Sequence, residues 1–376
     1  MNDSDKQKSM PFDLTLIVTH NCNLSCVYCY EHNKQTSKRM PIDIAKKSLE
    51  YYLTEGDYEE LSINFIGGEP LLEFNLIREV CEWVWGQKWN KKYRFYASTN
   101  GTVMTDTMKE WFTNNKSRFV LGLSLDGRKE THDINRCNSF DLIDLDFFLK
   151  NWPTQPVKMT ISDKNLEHLA DDVIFIHEKG FQLSGCNFAE GYIMPDFETK
   201  YEIIAEQYKK LIDYYLLHEE YDSPRLFQLP LMSCETRDNE KRKHCGTGGN
   251  MAVVDYDGQK YPCTYFSPVS MTNEQLAKLK DVDFHNDELF INSDCFDNCY
   301  FYPVCFGCYG DNFSLTGRLD TRSPQKCELN KLRIAATANY LGKKLSKKLE
   351  GATEIEGNDA LTIKAIIKIN SLINFN

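Results

Sequence analysis

The chain has 376 residues, 41% of them hydrophobic and 26% charged, which is enough to bury a large core and to form two domains. Its 44 basic and 55 acidic residues leave a net charge of -11, which argues against nucleic acid or an anionic membrane as main partner and is compatible with a basic or neutral peptide. No apolar run approaches the roughly 20 residues that cross a bilayer, and the polar start MNDSDKQKSMPFD lacks the core of a signal peptide, so the cytoplasm is the expected compartment and the 14 cysteines are expected to be ligands or catalysts rather than disulfides.

After a polar tail over residues 1–12, short β-branched or aromatic runs alternate with longer amphipathic ones. Strands are expected at 14–19, 61–66, 93–99, 118–125, 157–162 and 181–189, and helices at 42–54, 71–87, 104–114, 140–152 and 166–180. Strand and helix alternating about six times predict an α/β fold with a parallel sheet, short of the eight units of a full barrel: a partial (β/α)6 barrel over residues 13–198. A helical linker follows over 199–233. The next segment, 234–330, holds eight of the 14 cysteines among the turns TGGN, YDGQ and FGCYGD, and such a segment needs metal staples to hold its shape. Residues 331–376 read as a C-terminal helix, placed at about 328–349, and a tail in which ALTIKAIIKINSLI has no assigned form.

Between residues 19 and 33, THNCNLSCVYCYEHN places Cys22, Cys26 and Cys29 on the loop after the first strand. Three thiolates so spaced fit a structural zinc site completed by His20 or His32, a set of buried cysteines, or three ligands of a four-iron cluster that leaves its fourth iron open. The neighbouring strand ends favour the last. FIGGEP, residues 65–70, offers two glycines that let backbone approach a bound ammonium group, with Glu69 as its opposite charge. STNG (98–101) and LSLDG (123–127) put further polar groups at corresponding strand ends.

CxxxCxxC followed by GGEP resembles the radical S-adenosylmethionine enzymes, over residues 13 to about 190. The resemblance implies that the open iron is chelated by the amino nitrogen and carboxylate of S-adenosylmethionine, whose reductive cleavage gives methionine and a 5'-deoxyadenosyl radical. It further implies that Gly67, Gly68 and Glu69 hold the methionine amine, that Ser98, Asn100, Ser124 and Asp126 lie near the ribose and methionine, and that Arg136 pairs with the cofactor carboxylate.

The later cysteines are Cys234, Cys245, Cys263, Cys295, Cys299, Cys305, Cys308 and Cys327, a number that suits two closed four-iron clusters or two zinc sites. Their arrangement around YPC resembles the SPASM extension of some radical S-adenosylmethionine enzymes, although the central run is CxxxCxxxxxCxxC where CxxCxxxxxCxxxC is usual. That likeness implies three [4Fe-4S] clusters in all. Cys295, Cys299, Cys305 and Cys327 would hold the distal auxiliary cluster, and Cys245, Cys263 and Cys308 the proximal one, with Cys234 as its fourth ligand. Cys81 is expected in a helix core, and Cys137 and Cys186 are candidates for the barrel mouth.

Two enzyme readings follow from the resemblance. One is a maturase that installs a thioether, carbon-carbon or carbon-oxygen crosslink in a ribosomally made precursor peptide, with a flavodoxin or ferredoxin as reductant. The other is an anaerobic sulfatase maturase that forms formylglycine, which the chain length and the lack of a leader-binding domain before residue 13 suit. Against the second stands YPCTYF: that family places an aspartate base after the YPC cysteine, and this chain has Thr264. A non-catalytic iron-sulfur electron carrier is the alternative outside enzymes.

Overall fold

The structure, a computed structural model, describes residues 10–237, 240–350 and 355–375. Most of the expected N-terminal tail, residues 1–9, lies outside them. In chain order the elements are β1 (Phe12–Thr19), α1 (Ile42–Thr54), β2 (Glu60–Gly67), α2 (Phe74–Trp85), β3 (Lys92–Thr99), α3 (Asp106–Asn115), β4 (Phe119–Leu123), α4 (Lys129–Asn135), α5 (Leu145–Asn151), β5 (Val157–Ile161), α6 (Leu169–Glu178) and β6 (Leu183–Phe188). There follow α7 (Phe197–Leu217), β7 (Met251–Val254), β8 (Lys260–Tyr261), α8 (Asn273–Lys278), α9 (Ser293–Asn298), α10 (Tyr309–Thr316), α11 (Pro324–Lys348) and α12 (Gly357–Leu372). All six expected strands are present, and the unassigned tail segment is the helix α12.

Two compact units divide the chain, one of residues 1–125, 136–155 and 245–286, the other of 126–135, 156–244 and 287–376. The segment expected as one cysteine-rich domain, 234–330, is therefore shared: 245–286 belongs to the first unit.

In the first unit a six-stranded sheet runs in the order β4-β3-β2-β1-β7-β8, parallel except for the antiparallel pair β7 and β8. Leu14, Leu16, Ile17 and Val18 of β1 are wholly buried, as a central parallel strand requires. Helix α1 buries Ala45, Leu49, Tyr52 and Leu53, the spacing of one helical face. The Thr105 hydroxyl caps α3 by accepting the Met108 N–H at 3.3 Å. On one side of the sheet Phe65, Phe95 and Phe119 line up from three strands. Phe65 lies 5.7 Å from Phe95 and 6.0 Å from Phe119, ring planes within 11° and 1°. β7 joins by pairing Asp13 to Leu16 with Met251 to Val254, and Ile17, Val253 and Val269 close the core there. Because β1 to β4 are parallel, the loops after Thr19, Gly67, Thr99 and Leu123 leave the sheet from the same edge.

In the second unit β5 and β6 form a parallel pair. The expected linker helix, α7, is a core element there, burying Ile204, Tyr208, Leu211, Ile212 and Tyr215. Phe227 meets Tyr208 at 5.6 Å and Tyr340 of α11 at 5.8 Å. Ser323 caps α11, whose first residue is Pro324 and whose last turn carries Lys347 and Lys348, all favourable to the helix dipole or its free N–H groups.

Phe65→Ala removes a fully buried ring from the centre of the aromatic row. It should cost about 3–5 kcal/mol of stability, read as a lowered denaturation midpoint of the full chain.

Candidate active site

The first unit brings together the cysteine loop after β1, the Gly67-Gly68-Glu69 turn after β2, the Asn100 turn after β3, and Arg136. Glycine is required at the second turn by crowding. A Cβ on Gly67 would stand 2.1 Å from the Thr19 carbonyl oxygen, and one on Gly68 would stand 2.3 Å from that of Asn21 and 2.7 Å from the Cys22 Cβ. The Gly68 and Glu69 N–H groups donate to those same two carbonyls, at 3.1 and 2.8 Å. The GGE turn therefore sets the position of Cys22.

Glu69 is 1% exposed. The Leu71 N–H and the Thr99 hydroxyl donate to its Oε1 at 3.0 and 2.8 Å, and the Asn100 N–H donates to Oε2 at 2.8 Å. Burial nevertheless pushes its carboxyl up to about 7, against the pull of these donors and of the Arg136 charge. A carboxylate has about four acceptor positions, so three internal donors leave Oε2 able to take one more, the capacity an ammonium group needs. The guanidinium of Arg136, itself buried, lies 5.4 Å over the ring of Tyr28 inside the cysteine loop.

The three cysteines are half-buried. Burial raises the Cys22 thiol, and Glu69 and Cys29 add to the rise, so anionic groups converge where a cation would reverse the balance. Lys34 donates to Cys29 Sγ at 3.3 Å, and although burial pulls its own pKa down, Cys29, Cys22 and Glu31 raise it overall. Among the described residues no three His, Cys, Asp or Glu side chains converge on a single ion. A four-iron cluster makes a different demand, thiolates bound to separate irons, and the clustered thiols with their glycine turn fit it. His20 is not spare: its Nε2 pairs with Asp255 at 2.8 Å in a buried contact that ties the start of the cysteine loop to the residue after β7.

Other expected cofactor residues have structural tasks. Asn100 joins the loops, with its Nδ2 donating to Asn23 Oδ1 at 3.0 Å and its Oδ1 accepting from the Thr102 N–H at 3.0 Å. The Ser98 hydroxyl lies 3.5 Å from the Tyr96 hydroxyl, and the Ser124 N–H donates to the Thr99 carbonyl at 2.9 Å. Asp126 belongs to the second unit, fully buried, where it accepts from the Thr160 N–H at 3.1 Å and from Asn135 Nδ2 at 3.3 Å. Thr99, Asn23, Thr102 and Lys34 escaped the sequence reading. Only Thr99 carried a signal, as part of STNG.

Of the later cysteines, Cys245 and Cys263 are neighbours in the first unit. Burial pushes Cys263 up to about 11, with the backbone N–H groups of Phe266 and Tyr265 pulling it down and Cys245 adding to the rise. In the second unit Cys295, Cys299, Cys305 and Cys327 gather: burial raises the Cys295 thiol, and the other three add to it. The Cys308 Sγ caps α10 by accepting the Asp311 N–H at 3.5 Å. Cys234 lies in an apolar cluster with Phe301, Val304, Ile334 and Ala338, its thiol pushed up to about 12 by burial and then by Glu235 and Cys299. Cys81 and Cys186 are buried, and Cys137 is exposed, donating to the Ser25 carbonyl at 3.1 Å.

A cysteine triplet opened toward a buried anion by a double-glycine turn is the architecture of the radical S-adenosylmethionine domain, and residues 16–143 match the family model described as Radical SAM superfamily. Residues 16–143 are therefore a radical S-adenosylmethionine domain. The chain is 24% identical over 323 residues to the cysteine-type anaerobic sulfatase-maturating enzyme of Clostridium perfringens, covering 76% of this chain and 85% of that one. It is 25% identical over 331 residues to the antilisterial bacteriocin subtilosin biosynthesis protein AlbA of Bacillus subtilis, covering 80% and 67%. The solved structure of native anSMEcpe with bound AdoMet and Kp18Cys peptide matches with a TM-score of 0.67 at 20% identity, over 91% of this chain and 100% of that one. That likeness shows the fold, the partial α/β barrel expected from the strand and helix alternation. No helix among the described residues is long and apolar enough to cross a membrane.

Gly68→Ala drives a methyl group into the Asn21 carbonyl and Cys22. Overpacking of this kind costs about 1–3 kcal/mol, so reductive formation of 5'-deoxyadenosine should fall about tenfold or more, measured by chromatography against wild type.

Proposed function

We propose that this enzyme matures a ribosomally made peptide, abstracting hydrogen from one of its residues and installing a thioether, carbon-carbon or carbon-oxygen crosslink. In this reading Cys22, Cys26 and Cys29 hold the first of three [4Fe-4S] clusters, and bound S-adenosylmethionine supplies the radical chemistry. Glu69, fixed by Leu71, Thr99 and Asn100, accepts the cofactor ammonium on Oε2, and Gly67 and Gly68 leave room for it. Arg136, steadied on Tyr28, offers its charge to the cofactor carboxylate. Cys295, Cys299, Cys305 and Cys327 hold the distal auxiliary cluster, and Cys245 and Cys263 are ligands of the proximal one. A flavodoxin or ferredoxin in the cytoplasm serves as electron donor.

The observation that carries the choice of substrate is Thr264. It follows Cys263 directly, in a short helical turn whose Thr264 carbonyl accepts from Ser267 and Ser270 at 2.6 and 3.2 Å. A threonine hydroxyl does not act as a general base near neutral pH, so the position that would deprotonate a sulfatase cysteine has no proton acceptor of its own. The bacteriocin biosynthesis protein among the relatives supports a peptide substrate. Formylglycine formation is the second reading, favoured by likeness to the sulfatase-maturating enzyme along 85% of that relative's length.

Two experiments test these readings. Anaerobically reconstituted protein should carry about 12 iron, and Cys26→Ala about eight with no 5'-deoxyadenosine formed; wild type with about four iron and zinc elsewhere would defeat the three-cluster reading. Incubated with S-adenosylmethionine and reductant, the enzyme should remove two hydrogens from a small peptide encoded beside it, seen by mass spectrometry, and leave a sulfatase-motif peptide free of aldehyde. Aldehyde at that peptide's cysteine or serine would put the second reading first.

A further inference from the structure

Cys305 receives two side-chain donors. Arg322 Nη1 lies 2.9 Å from its Sγ while Nη2 lies 3.2 Å from its carbonyl oxygen, so the guanidinium fork grips one residue at both ends. Asn330 Nδ2 lies 3.3 Å from the same sulfur and 3.1 Å from the Phe306 carbonyl. The loop is shaped for the guanidinium: a Cβ at Gly307 would stand 2.1 Å from Arg322 Nη2. Helix α11 organises the rest. Arg322 precedes its Ser323 cap, and Cys327 and Asn330 are three residues apart on one face, so a ligand and a donor follow on neighbouring positions.

We propose that Arg322 and Asn330 are positioning residues that set the reduction potential of the auxiliary cluster held through Cys305. The inference rests on the reading of Cys295, Cys299, Cys305 and Cys327 as one ligand set. Donors to a ligand sulfur draw electron density from the iron and favour the reduced, more negative cluster, so they raise its potential. The guanidinium is a charged donor and its hydrogen bond is of the stronger, charge-assisted kind. Asn330, neutral and slightly longer in its contact, contributes less.

The test is a redox titration of reconstituted full-length protein, one electron per cluster supplied by dithionite and followed by electron paramagnetic resonance. Arg322→Lys keeps a positive charge but loses the fork, and Asn330→Leu keeps the volume but loses the donor. At a fixed potential the ratio of reduced to oxidised cluster should fall about tenfold for Arg322→Lys, equal to about 59 mV for one electron, and by a smaller factor for Asn330→Leu, with iron content unchanged. Unchanged midpoints in both variants, together with a loss of about four iron in Cys305→Ala, would overturn the tuning role while leaving the ligand set intact. Full iron in Cys305→Ala would overturn the ligand set itself. If Arg322→Lys fails to load iron, Asn330→Leu decides, because it leaves the guanidinium in place.

Discussion

The site is organised around a carboxylate kept out of water. An ionised carboxylate buried without partners costs several kcal/mol, and Glu69 avoids that cost by drawing donors from its own turn and from the end of β3. Each donor is also a geometric tie. The N–H of Asn100 fixes the third strand end to the second, and the Asn100 side chain then reaches Asn23 in the cysteine loop. The two glycines before Glu69 rest directly on the carbonyls of Thr19 and Asn21. Loosening Glu69 would free three loops at once. That is why the placement of the cysteine loop depends on one buried carboxylate.

The alternation of strands and helices could be read from residue patterns because β1 to β6 are bounded by turns and the helices show one apolar face, as α1 does through Ala45, Leu49 and Tyr52. Among the strands, those that escaped are β7 and β8. Four and two residues long, they lie among turns, and their apolar run MAVV gains a role only when β1 offers it a parallel edge. Local pattern holds no trace of a partner that far away in sequence. The same distance hid the pairing of His20 with Asp255, which made His20 look available as a zinc ligand. The cysteine-rich segment was read as one domain because composition changes at residue 234, whereas contacts assign 245–286 to the unit that holds β1.

Within the site, what could be read was residue type at strand ends, and what could not was which polar group is already employed. Glu69 and Asp126 look alike in sequence, each an acid beside a glycine after a strand. Glu69 keeps one acceptor position open. Asp126 uses both oxygens, on the Thr160 N–H and on Asn135, and so serves the second unit's own architecture. Cys234 shows the same ambiguity among thiols: spacing makes it a ligand candidate, while its surroundings are Phe301, Val304 and Ile334, with Cys299 as the neighbouring sulfur.

The gathered thiols impose a final constraint. Burial raises Cys22, Cys263 and Cys295, and in each case a nearby cysteine adds to the rise, so thiolate formation at these positions is opposed by the protein alone. Bound iron would reverse that balance by supplying positive charge beside the thiols, and its loading would then be coupled to folding of the loops that bear them. The chain's own cations assist unequally. A flexible ammonium, Lys34, reaches Cys29 from within the same loop, whereas a planar guanidinium, Arg322, is locked over Gly307 onto Cys305. Lysine can move aside at small cost. Arginine, held by two bonds in a shaped recess, stays fixed.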